Sequence, residues 1–411
     1  MRDESNNLLF IPHPSSLITC TMDNLTHSLV GLAISKSGLE RLSPYATAVC
    51  ILAANAPDTD VITAIGGRWF SLEHHRGITH SIVGVIAIAI TLPVLFWLGD
   101  GAIAAWRKRK AKANLAGLFI CSLIATVSHP LLDWTNNYGV RPFLPFNGQR
   151  FYGDMVFILD PCLWLALGGA GFLLTANSKG KLYLWITIGT ITSALMLFGP
   201  TLISLLGAPN RGISIPILSK TVWVISIIVI FILFRTNAAQ KFGNKIAFAA
   251  LAFMVFYWCG LSFVHSQAKK KIQTEADNIA SVNGEKVFRV AAMPTIANPL
   301  RWQGMAETEK AVYRFESVLT KEKQEDKIIR YEKPTGQNAV LVDKAKENSN
   351  VQTFLRFARF PVVKIEDNCI KEQLVQFADL RYTEPSRDER RGNFSINVNV
   401  ECYMPEPIES R

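Results

Sequence analysis

The chain has 411 residues, of which 49% are hydrophobic and 18% charged, with a formal net charge of +10 and a mean hydropathy of +0.20. The basic excess lies in short loops between apolar blocks and forms no basic domain, which argues against nucleic acid as the partner. The seven cysteines include no CxxC pair, which argues against a thiolate-held metal.

Residues 1–21 lack a basic stretch followed by an apolar core, so they do not read as a signal peptide. They read as a mis-assigned or disordered extension, with Met22 as a second candidate start. From there to residue 265 the sequence is a series of apolar blocks. Ala46–Gly66, Ile78–Gly99, Asn114–Trp134, Met155–Ala176, Leu182–Gly207, Ile217–Phe234 and Lys245–Val264 each suffice to cross a bilayer. A shorter amphipathic segment, Leu25–Leu39, precedes them. The expected fold is mainly α: a polytopic bundle of about seven or eight transmembrane helices, followed over 266–411 by a smaller soluble α+β domain.

The loop "RKRKAK", Arg107–Lys112, marks the cytoplasmic side. Alternation then puts His74, His75, His80, His129, Asp133, Asp154 and Asp160 near the opposite, extracytoplasmic face, although Lys269–Lys271 opposes that orientation. Asp58 and Asp60 fall at the same end, and His27 joins them if the short first helix also enters the membrane. Ionisable groups within apolar segments are costly and call for an explanation. "APDTD" breaks its helix at Pro57 and presents two carboxylates that repel unless neutralised, or is a polar loop at a helix exit. "SHPLLD" sets His129 and Asp133 four apart on one helix face, which suits a divalent metal and equally a plain His–Asp hydrogen bond. "HHRGITHS" supplies His75 and His80 before a helix that Thr79 or Ser81 would cap. Together, His27, Asp58, Asp60, His75, His80, His129 and Asp133 read as one metal site. Nitrogen and oxygen donors without sulfur suit Zn, with Mn and Fe as alternatives. The next loop returns Asp154 and Asp160 to this face. Its Arg141 and Arg150 suit either an anionic group or a snorkelling role at the interface.

These motifs resemble a family of inner-membrane-associated proteins labelled metal-dependent hydrolases (YdjM-like, also labelled LexA-binding). The resemblance rests on "THSLVG" from Thr26, "APDTD" ending at Asp60, "HRGITHS" from His75 and "SHPLLDWTNNYGVRPFLPF" from Ser128, in order, over about residues 22–165. It implies a multi-pass protein of the bacterial inner membrane with a His/Asp metal site at the seven residues above. Asp160 fits longer members, and Asp154 less well. A cytoplasmic repressor as partner would face the wrong side in the orientation above.

The C-terminal region shows short Val-, Phe- and Tyr-rich runs that read as strands, including "VQTFLRFARFPVVKI" from Val351, while "NPLRWQG" from Asn298 reads as a turn. It has no catalytic motif and suits binding, gating or assembly with an unidentified partner. An extracytoplasmic position would allow a Cys369–Cys402 disulfide. The leading functional expectation is a metal-dependent hydrolase at the membrane surface, acting on a phosphoester or a lipid-linked molecule. Asp58, Asp60 or Asp133 would serve as catalytic carboxylate. The alternatives are an ion or solute transporter, and a non-catalytic anchor holding a structural metal and recruiting a protein partner.

Overall fold

The computed structural model describes residues 14–205, 215–320, 328–366, 372–386 and 394–401. Its helices run in order as α1 (Pro14–Lys36), α2 (Ala46–Asn55), α3 (Arg68–His74), α4 (Ile82–Trp106), α5 (Leu115–Trp134), α6 (Pro161–Thr175), α7 (Lys179–Leu205), α8 (Ile217–Arg235), α9 (Ala238–Phe242) and α10 (Lys245–Val282). A 3-10 segment, Ala56–Gly66, prolongs α2, and a 3-10 turn, Ile78–His80, precedes α4. Among the described residues, six spans are long and apolar enough to cross a membrane: Ala46–Gly66, Ile82–Trp106, Leu115–Trp134, Lys179–Gly199, Ile217–Arg235 and Lys245–Val282.

α10 runs past its expected end at Val264 to Val282, α4 is shifted to Ile82–Trp106, and two helices differ most at their starts. α1 starts at Pro14, well before Leu25, while residues 1–13 lie outside the described residues. α6 starts at Pro161, not Met155, and has 15 residues. Asp160 sets that boundary by accepting from the Cys162 and Leu163 amides at 2.8 and 3.1 Å, with Pro161 supplying a first-turn residue that needs no donor. Residues 153–156 are held as a loop against the end of α5. The Gly153, Met155 and Val156 amides donate to carbonyls of Trp134 and Thr135 at 2.7–3.0 Å.

Small residues bring α1, α2 and α5 into close contact. Ala33, Cys50, Ala53, Ala54, Cys121 and Ala125 are fully or almost fully buried. A Cβ on Gly31 would stand 2.6 Å from the Cys50 carbonyl oxygen, so the backbone approach there requires glycine. At one end of the bundle Asp100 ties the basic loop to the helices, accepting from Tyr45 Oη at 2.8 Å, Arg109 Nη2 at 2.6 Å and the Ala113 amide at 2.8 Å. The histidines gather at the other end.

α10 has 38 residues, about 57 Å at 1.5 Å per residue, and so outruns a hydrocarbon core of about 30 Å. Its last turns enter the C-terminal domain, where Ala268, Ile272 and Ala276 pack on Trp302, Ala306 and Phe315. Those residues belong to an antiparallel sheet of β1 (Val287–Thr295), β2 (Asn298–Thr308), β3 (Ala311–Val318) and β4 (Ile329–Glu332), in that spatial order. Helices α11 (Gln337–Ala345) and α12 (Ser349–Phe357) lead to a second antiparallel sheet of β5 (Pro361–Ile365), β6 (Glu372–Asp379) and β7 (Ser395–Glu401). "NPLRWQG" therefore opens strand β2 and is not a turn. The first half of "VQTFLRFARFPVVKI" is helix α12. Val351, Phe354 and Phe357 recur at a helical interval and bury one face, and Asn348 caps the start by accepting from the Asn350 amide. Cys369 and Cys402 lie outside the described residues, and with them the disulfide.

The C-terminal domain sits on the histidine-bearing end of the bundle. Leu72 of α3 packs into the core formed by Phe354, Phe357, Val375 and Phe377. Arg359 pairs with Asp154 at 2.8 Å, and Arg381 Nη1 donates to the Asn137 carbonyl at 2.6 Å.

Candidate metal centre

Three separate stretches deliver the donor atoms. Pro57 ends the α-helical geometry of α2, and the tighter 3-10 turn that follows carries Asp58 and Asp60 to the end of the bundle. The turn from His75 to His80 then doubles back. Arg76 takes a left-handed backbone at φ 51°, a conformation unfavourable for a residue with a Cβ, and its amide is held by Asp60 Oδ2 at 2.8 Å. Ser81 caps α4 by accepting from the Gly84 amide. On α5, His129 and Asp133 lie one turn apart with Pro130 between them.

Asp58, His80, His129 and Asp133 each offer one atom to a common point, all four within 4.8 Å of one another. His80 Nε2 lies 3.1 Å from His129 Nε2, 3.4 Å from Asp58 Oδ1 and 3.1 Å from Asp133 Oδ2. His129 Nε2 lies 3.4 Å from Asp58 Oδ1 and 3.5 Å from Asp133 Oδ2. Four donors on a tetrahedral ion with bonds of about 2.0–2.1 Å are roughly 3.3–3.4 Å apart. Three of the separations, at 3.4–3.5 Å, have about the length of that edge, and the two at 3.1 Å fall a little short of it.

Proton placement supports the same reading. His129 Nδ1 is 2.6 Å from the Ala54 carbonyl oxygen, which only accepts, so the proton is on Nδ1. His80 Nδ1 faces Asp60 Oδ2 at 3.3 Å and Thr79 Oγ1 at 3.1 Å, and the Thr79 hydroxyl itself donates to Asp60. With both Nδ1 atoms protonated, the two Nε2 lone pairs face each other and two carboxylate oxygens. Four electron-rich atoms this close, three of them on side chains at most 1% exposed, require a cation or added protons between them. The donor set fits a divalent ion.

The remaining expected residues surround this group. His27 stacks on His129 with ring centroids 3.8 Å apart, and its Nε2 is 3.5 Å from Asp133 Oδ1. Asp60 stands behind His80 and also meets His75 Nδ1 at 3.0 Å, while His75 is on the partly exposed rim. Asp160 and Asp154 are not brought into the cluster. Asp160 caps α6 and accepts from Tyr257 Oη at 2.9 Å, and Asp154 pairs with Arg359. Arg141 and Arg150 lie over the turn and around Tyr138.

Arg76 is a site residue that the motif reading passed over. Its Nη2 pairs with Asp133 Oδ1 at 2.9 Å, and its Nη1 donates to Asn136 Oδ1 at 3.0 Å, with the side chain only 3% exposed. Asp133 thus gives one oxygen to the cluster and the other to a buried guanidinium, which fixes the carboxylate plane. A cation inside "HRG", in a chain with so many loop arginines, gave no signal of its own.

Residues 22–204 match the model of the YdjM inner membrane protein family. That range contains every residue of the cluster and all the helices that supply them. The chain is also similar to an uncharacterized protein, YfhP, of Bacillus subtilis (strain 168), at 25% identity over 178 residues, which is 41% of this chain and 51% of that protein. The chain thus spans about half the length of that relative. No solved structure matches it.

Proposed function

From the match of residues 22–204 to the YdjM inner membrane protein family, we propose that the chain is a membrane-embedded, metal-dependent hydrolase. The observation that carries this is the four-atom convergence of Asp58, His80, His129 and Asp133, the last three buried, at the bundle's end. Zinc suits two imidazoles and two carboxylates at tetrahedral separations, with Mn and Fe as the alternatives. A divalent ion held by Asp58, His80, His129 and Asp133 would supply Lewis acidity, lowering the pKa of water and polarising a scissile ester.

The chain's own residues then have distinct roles. His80 and His129 are held in a single tautomer by Asp60 and by the Ala54 carbonyl. Arg76 fixes Asp133. The Asp58 side chain is the most open of the four at 11% exposure, which places it to take a proton from water entering the site. The charge bias of the loops favours the extracytoplasmic side for this end of the bundle, with Lys269–Lys271 as the counter-signal. A site between apolar spans at a membrane face suits a phosphoester or lipid-linked substrate.

One observation favours a second reading. Four protein donors complete a tetrahedron, as in structural metal sites, so the ion would pin α2, the His75–His80 turn and α5 together while the C-terminal domain binds a partner. Hydrolysis separates the two. The protein purified in detergent is expected to cleave members of a phosphoester and lipid-ester panel, to lose that activity on dialysis against chelator, and to regain it with added zinc. Metal-loaded wild type that cleaves none of them supports the structural reading instead.

A further inference from the structure

Beside the metal centre lie two arginines without a close ion pair among the described residues, Glu73 and Asp60 acting on Arg141 only from farther away. Arg141 Nη2 donates to the Glu73 carbonyl at 2.5 Å, but its Nε is buried without a hydrogen-bond partner. Arg150 makes one long contact, 3.5 Å to the Gly139 carbonyl, and otherwise faces aromatic rings, with its guanidinium carbon 5.4 Å from the Tyr138 centroid and 5.2 Å from that of Phe357. Among the described residues neither has a carboxylate within ion-pair distance. Nearby arginines are compensated: Arg76 by Asp133, Arg359 by Asp154 and Arg381 by Asp379.

Both guanidinium groups are partly buried, and drawing such a charge out of water without a close counter-ion is unfavourable. Burial, then the charge of Arg150, brings Arg141 down to about 10, and burial likewise lowers Arg150, with Arg381 and Arg76 adding repulsion. A fold that tolerates this leaves a place for an anion, and the planar guanidinium fork matches phosphate oxygens in pairs.

Resting on the metal-centre reading above, we propose that Arg141 and Arg150, against Tyr138 and Phe357, bind a phosphate group of the substrate next to the donor cluster. The adjacency runs through two side chains. The Arg76 guanidinium carbon is 4.9 Å from the Tyr138 ring, while its Nη2 holds Asp133. The His75 ring meets Tyr138 edge-on at 5.5 Å, while its Nδ1 holds Asp60. Arg141 lies over the same turn, since a Cβ on Gly77 would come 3.4 Å from its Nη2. Phe357 comes from the C-terminal domain, so the anion site is closed only when that domain is seated on the bundle. The shared chemistry is a phosphate monoester, carried either by a lipid headgroup or by a soluble molecule.

The test titrates the full-length protein in neutral detergent with inorganic phosphate and with dihexanoyl phosphatidic acid, using dihexanoyl phosphatidylcholine as control. Calorimetry reads binding, and metal content is measured on the same samples. Wild type is expected to bind at least one phosphate-bearing probe, and Arg141→Gln to bind it about tenfold more weakly with metal content unchanged, the loss expected for a charged hydrogen bond. Adding Arg150→Gln should weaken binding further, and Arg150→Lys should restore only part of that loss, because an ammonium keeps the charge without the planar fork. Should the double variant not fold, the single Arg141→Gln substitution decides. Tighter binding of the phosphatidic acid assigns a lipid headgroup, and equal binding assigns a soluble phosphate. A metal-bearing wild type that binds neither probe, or binds them as Arg141→Gln does, overturns the anion site and leaves the metal reading standing. Phosphate binding by a protein without metal does the reverse.

Discussion

Asp58 and Asp60 are two residues apart and do different work, because the 3-10 geometry turns them to different sides of His80. Asp58 offers its oxygen to the common point, whereas Asp60 sits behind His80 and receives the Arg76 amide. Asp58→Asn removes a charged donor and is expected to abolish stoichiometric metal binding. Asp60→Asn keeps the shape but weakens the orientation of His80, so affinity should fall about 10–100-fold with stoichiometry intact at saturating metal. Metal titration by competition with a chromophoric chelator measures both. Equal effects of the two substitutions would contradict the assignment. At this scale the sequence was informative where a costly residue stood out, since His27, Asp58, Asp60, His129 and Asp133 are ionisable groups next to or within apolar segments. It was silent about Arg76, whose role depends on a left-handed backbone and on burial that no spacing reveals.

Secondary-structure elements were legible to the extent that hydropathy set their length. The spans Ala46–Gly66 and Leu115–Trp134 coincide with the apolar blocks to within a residue. The start of α6 was not legible. Residues 155–160 are apolar enough to continue a helix, but the Met155 and Val156 amides are taken by the end of α5, and the carboxylate of Asp160 caps the helix that follows. Asp160 thus answers to a structural need, though its position resembles that of a site residue. Asp160→Ala is expected to destabilise the protein by about 1 kcal/mol, as cap removal does, and to leave metal content unchanged, which thermal denaturation and metal analysis on one preparation would show. Loss of metal in that variant would return Asp160 to the centre. Asp100 carries the same lesson, an ionisable group within a span that serves to tie down the basic loop. α12 was missed because an apolar run rich in Phe and Val mimics a strand unless its interval is counted.

At the scale of the molecule, the bundle and the C-terminal domain meet over the metal centre. α10 leaves the bundle and crosses into that domain without a break, and the Arg359–Asp154 pair, the Arg381 bond to Asn137 and the Leu72 contact hold it over the turn that carries His75 and His80. Sequence composition separated the two regions but could not place one upon the other, since docking depends on arginines and aromatics scattered between residues 68 and 395. The account as a whole depends on one ion joining α2, the His75–His80 turn and α5. The most direct test purifies the full chain without chelators and quantifies transition metals in wild type, His80→Ala and His129→Ala. About one divalent ion per chain in wild type and almost none in either variant is the predicted result. A folded wild type carrying no stoichiometric metal would contradict it.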